Sequence, residues 1–148
     1  MRSRTFLAAA AVALFALALG AACSSESGTT DADIVAIINV IDSAGLHDID
    51  DAINEDEEIP AGAAVTAQKL HATMELVEWP SDLDEDAEEL SAAFEDLHAT
   101  LSAETPDMAA AGEIAGRVHD LAHDFSHDAW AYLYAEAGVD VDEEGDGH

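Results

Sequence analysis

The chain has 148 residues, 49% hydrophobic but only 5% aromatic, with 33 acids against four basic side chains and a formal charge of −29. That length suits one domain with a hydrophobic core, and the charge excludes nucleic acid as a partner, because the field repels phosphate. A single cysteine excludes any internal disulfide, so stability has to come from packing.

The first 22 residues read as an export signal. Arg2 and Arg4 give a charged start, residues 6–19 an apolar run too short to span a bilayer comfortably, and Gly20-Ala21-Ala22 precede Cys23. This stretch resembles a bacterial lipoprotein signal, although Gly20 stands where such signals usually carry Leu, and Leu19 lies one step earlier. The resemblance implies lipidation of Cys23 and an extracytoplasmic, membrane-anchored location. After removal of residues 1–22, only Lys69 and Arg117 remain against 33 acids, a formal charge of −31. Such a surface attracts divalent cations and basic proteins and is otherwise a solvated acidic face.

Residues 23–30 are rich in Ser, Gly and Thr and read as the lipidated cysteine and a flexible tether. From residue 31 the pattern is helical, and Pro60, Pro80 and Pro106 divide it into four runs. The first covers 31–53, with Ile34, Ile38, Ile41, Gly45, Ile49 and Ala52 as its apolar stripe. The second covers 61–78, with Ala63, Ala67, Leu70, Met74 and Val77 inward. The third, 81–103, has Ser81 as expected N-cap and a seam through Leu83, Ala87, Leu90, Phe94, Leu97 and Leu101. The fourth opens with Thr105 as N-cap and Pro106-Asp107 and stops near Ala137, before Gly138. Gly112 and Gly116 on it admit a closely approaching neighbour. The expected fold is all-α, an antiparallel up-down-up-down four-helix bundle over 31–137, followed by a disordered acidic tail, 138–148.

The last helix carries H-D-x-x three times, beginning at His119, His123 and His127. Spacing by four stacks successive imidazoles, so neighbouring pairs can close on one metal ion, with Asp120, Asp124 and Asp128 as an acidic ridge beside them. On an ideal wheel the ridge starts at the core boundary with His119 and winds outward through His123 to His127. Trp130 and Tyr134 share its sector. Each predicted helix also holds a histidine directly after an apolar residue: His47, His71, His98 and His119. Counting rise per residue, His47, His71 and His119 lie at a common height of roughly 17–20 Å from the Pro60 and Pro106 end, with His98 near 12 Å. Two of these steps extend to a shared L-H-A-T, at Leu70 and Leu97, a hint of a duplicated helix.

Other chemistry is thinner. Glu95-Asp96-Leu97-His98 is one E-x-x-H step where di-iron bundles use two. The last helix, ending in histidine and aromatics, is similar in outline to a cytochrome b562-like bundle, which implies a haem held by His and Met74, yet no motif matches residue by residue and C-x-x-C-H is absent. The tail from Asp140 imitates the start of a calcium loop but ends at His148, before the bidentate position. No nucleophile elbow, P-loop or dinucleotide fingerprint occurs, and Ser126 beside His127 diverges from it on a helix, so the chain is read as a non-enzyme.

The sequence therefore predicts a lipid-anchored helical bundle binding a divalent transition metal. His119, His123 and His127 are the expected ligands, Asp120 and Asp124 orient or supplement them, and His47 and His71 contribute. Imidazole and carboxylate suit Zn²⁺, Cu(II) or Ni²⁺, and binding is expected to weaken as pH falls through about 6.5. The competing expectation is a structural or interaction lipoprotein of the cell envelope without a metal site, docking a basic or envelope protein through its acidic faces and Trp130 and Tyr134.

Overall fold

The computed structural model describes residues 29–139. The signal, Cys23 with most of the tether, and the tail from residue 140 lie outside the described residues. Those described form an all-α fold of five helices: α1 (Asp31–Asp42), α2 (Leu46–Asn54), α3 (Ala63–Met74), α4 (Asp84–Leu101) and α5 (Met108–Glu136).

The expected first helix, 31–53, is two helices. Thr30 and Asp33 close a reciprocal capping box at the start of α1. Its end is marked by Ser43, whose hydroxyl donates to the Asn39 carbonyl at 2.7 Å, and by Gly45 in a left-handed conformation, φ +69°. The break has a packing cause. On one straight helix Leu46, Ile49 and Ile53 would sit about 90° around from Ile34, Ile38 and Ile41. The turn at Gly45 re-aims the second set so that both stripes are buried.

The other boundaries contract. Helix α3 begins after Gly62 (φ +93°) and stops at Met74, where the Trp79 indole N–H caps the Met74 carbonyl at 3.0 Å, instead of running to 78. Ser81 is not the cap of α4; Leu83 occupies that position with its side chain buried, and Asp84, Glu85 and Asp86 supply the negative first turn. The cap of α5 is Asp107 rather than Thr105, accepting from the Ala109 and Ala110 amides at 3.0 and 3.2 Å. Gly138, φ +68°, follows its C-terminus as expected.

Helix α5 is the common wall, packed against α1, α2 and α4, while α3 rests on α4 and only sparingly on α1. The core is one apolar cluster centred on Phe94, Phe125, Ile34, Ile38, Leu90, Leu97 and Val118. Trp79 closes it edge-on against Phe125, with ring centroids 5.0 Å apart. Gly112 serves the close approach expected of it: the Asn54 amide lies against its Cα and donates to its carbonyl at 3.0 Å, and a Cβ there would overlap Asn54. A second polar tie joins α1 to α5, where Ser126 Oγ donates to Asp42 Oδ1 at 2.8 Å.

Candidate functional site

Helix α5 runs unbroken through His119, His123 and His127. Their environments diverge as the ridge winds outward: the His119 side chain is 34% exposed, those of His123 and His127 78%. Each imidazole turns Nδ1 toward the aspartate that follows it, at 3.6 Å for Asp120, 3.7 Å for Asp124 and 3.3 Å for Asp128. Pairs this exposed are screened and hold little.

His119 is the exception because α2 covers it. The ring centroids of His47 and His119 are 5.3 Å apart, tilted by 42°. Asp50 Oδ2 lies 3.9 Å from His119 Nδ1, and Asp51 Oδ2 lies 3.3 Å from His47 Nε2. Asp50 is itself fixed: its Oδ1 accepts from the Asn54 amide at 2.7 Å, the same amide that holds the Gly112 carbonyl. One short helix thus delivers an imidazole, a half-buried carboxylate and the amide that orients it, at positions 47, 50 and 54, to one side of α5. A cavity of about 250 Å³ opens there, lined by His47, Asp48, His119 and His123, with Asp42 and Gly45 at the α1–α2 turn.

The remaining expected ligands lie elsewhere. His127 and Asp124 border a separate cavity of about 250 Å³ between α4 and α5, with Asp86 and Asp128. Asp120 is exposed beside His119. His71 faces α4, not α2 or α5: its Nδ1 is 3.1 Å from the Ser91 carbonyl and 3.0 Å from Ser91 Oγ, and that hydroxyl donates to Glu75 Oε1 at 3.0 Å. A carbonyl only accepts, so Nδ1 of His71 carries the proton. That tautomer cannot take a proton from Ser91, so the trio is a structural relay and no nucleophile pair. Among the described residues no group of three or more His, Cys, Asp or Glu side chains is placed to hold a metal ion.

Sequence reasoning missed Asp50 and Asn54. The signal was there in the i, i+4 spacing of His47 with Asp51 and of Asp50 with Asn54, opposite glycines expected to admit a neighbour. Which helix that neighbour would be is a tertiary fact.

Among the described residues no helix is long and apolar enough to cross a membrane. No family model, no curated protein and no solved structure matches the chain.

Proposed function

We propose that this protein is an exported, lipid-anchored helical bundle that binds a divalent transition metal between α2 and α5. Helices α1 and α2 together act as the first arm of an up-down-up-down bundle, with α3, α4 and α5 as the other three. His47 and His119 are the ligand pair, His123 borders the same cavity as a third imidazole, and Asp50 is the nearby carboxylate. The observation that carries this reading is the meeting of two imidazoles from different helices, 5.3 Å apart, beside a carboxylate held by Asn54.

Two neutral imidazoles and a carboxylate are a borderline donor set, which favours Zn²⁺, Cu(II) or Ni²⁺ over Mg²⁺. The Asn54 bond leaves the other Asp50 oxygen for an ion, the kind of outer support that sharpens metal sites. The close set differs from the full ridge: His127, Asp120, Asp124 and His71 do not border this cavity, and Asp50, which does not border it either, joins the set through its 3.9 Å approach to His119 Nδ1.

Calorimetry on the full chain with Zn²⁺, Cu(II) and Ni²⁺ tests it. The double variant His47→Ala/His119→Ala is expected to lose at least about tenfold in affinity, roughly 1.4 kcal/mol, while His127→Ala stays near wild type. Equal affinity of the double variant and wild type would overturn the reading.

A second reading rests on a different observation. Trp130 and Tyr134 stack with centroids 6.1 Å apart and leave Tyr134 exposed, which suits docking of an envelope protein. Under it, replacing the two aromatics abolishes capture of that partner and chelation leaves capture unchanged.

A further inference from the structure

Helix α1 is apolar around nearly its whole circumference: of residues 34 to 41 only Asn39 is polar. A helix of that kind belongs inside a core, covered on all sides. Here one side, Ile34, Ile37, Ile38 and Ile41, is buried, largely against α5. On the other side the end of α3 stands near it, and between them lies a groove of about 950 Å³.

Its geometry suits a helix. Asp33, Ala36, Ile37 and Val40 line one wall, spaced i, i+3, i+4 and i+7, so they form a single ridge along α1. Leu76 and Val77 line the other. Leu76 is 78% exposed and Val40 45%, so two of the domain's few exposed large aliphatic side chains face each other across one opening. Three carboxylates stand at the groove: Asp33, Glu75 and Glu78. Asp33 Oδ2 already accepts from the Thr30 amide and hydroxyl, which fixes that carboxylate at the rim, and its other oxygen has no hydrogen-bond partner among the described residues.

We propose that the groove between α1 and α3 docks a basic amphipathic helix of a partner protein, its apolar face on Ala36, Val40 and Leu76 and its lysines or arginines on Asp33, Glu75 and Glu78. The charge decides among occupants. A second copy of this chain brings a formal charge near −31 against an acidic rim, and an anionic lipid surface is repelled in the same way. A cationic helix with an i, i+3, i+4, i+7 apolar stripe satisfies floor and rim together. The groove is distinct from the imidazole pair, which faces α2 and α5, so either assignment stands without the other.

The test is titration of the full chain, at physiological salt, with a synthetic helix of about 18 residues carrying Leu at core spacing and Lys elsewhere, alongside its Glu-for-Lys counterpart. The lysine peptide is expected to bind and gain helicity, and the glutamate peptide is expected not to bind. Val40→Asp and Leu76→Asp change exposed side chains and add negative charge, so general attraction predicts equal or tighter binding. The docking groove predicts at least about tenfold weaker binding to each, with Asp124→Asn, at the other acidic cavity, unchanged. Four results would overturn the proposal: no binding of the lysine peptide, equal binding by the Asp variants, binding of neutral phosphatidylcholine vesicles that needs Val40 and Leu76, or self-association that Leu76→Asp abolishes.

Discussion

His71 and His98 show what a single atom decides. His98 Nδ1 lies 2.9 Å from the Ala64 carbonyl, and His71 Nδ1 lies 3.1 Å from that of Ser91. Ala64 stands seven residues before His71, and Ser91 seven before His98. Each L-H-A-T histidine therefore clamps the same place on the other's helix, and α3 and α4 run in opposite directions about a local two-fold axis. The buried pairs Ala67 and Phe94, Leu70 and Leu97, and Met74 and Leu101 keep the same 27-residue offset. The hint of duplication in the sequence thus has a structural counterpart. His98→Ala is expected to destabilise the fold by about 0.5–1.5 kcal/mol in urea unfolding, since it removes a hydrogen bond that ties α4 to α3. His98→Asn, whose amide nitrogen stands near the Nδ1 position, should recover part of that and His98→Gln less; equal losses in all three would mean that packing, not the bond, matters.

Elements are set here by caps and by one glycine. Gly45 turns α1 into α2 at φ +69°, a region where a Cβ costs about 1–2 kcal/mol. Gly45→Ala is expected to lower the thermal midpoint by several degrees, and an unchanged midpoint would show that the two stripes tolerate a straight helix. The start of α1 depends on acid. The Thr30 hydroxyl and amide both donate to Asp33, at 2.6 and 2.9 Å, and hold its carboxyl below the usual range. A carboxylate lowered in the folded state contributes stability in full above its unfolded value and loses it as pH falls through the folded one. First-turn amide shifts of α1 should therefore move in strongly acidic solution, below the ordinary carboxyl titration, and Asp33→Asn should abolish that movement. Near the same end of α1, burial and the carboxylates of Glu136, Asp31 and Asp82 push the Tyr132 phenol up, so it stays neutral and adds no further charge.

The whole molecule is governed by self-repulsion. With one cross-helix Arg–carboxylate pair, Arg117 to Glu89 at 3.0 Å, among the described residues, little of the acidic surface is neutralised internally. Monovalent salt is expected to raise the melting temperature steadily from about 10 mM to about 1 M, as the screening length falls from about 30 to 3 Å. A flat response would mean that the charges are already too far apart to repel. Against that background a specific ion stands out. At constant ionic strength Zn²⁺ at a hundred times its dissociation constant should add about 2.7 kcal/mol that Mg²⁺ does not, and His119→Ala should remove the difference.

Helical content, the outward winding of His119, His123 and His127, the stop at Gly138 and the close approach at Gly112 were legible in the chain because each depends on local periodicity or on one residue's conformational range. The break at Gly45 was not, since a glycine inside an apolar stripe reads as a weak helix position until the direction of the core is known. Nor was the choice among histidines. Six imidazoles on the helices look alike in sequence, yet tertiary packing sends His71 and His98 to carbonyls across the α3–α4 seam, leaves His123 and His127 in water, and brings His47 onto His119. Sequence fixes which face of a helix a side chain occupies, through a period of 3.6 residues; which other helix lies on that face is settled only when the apolar stripes of the described helices are buried at once.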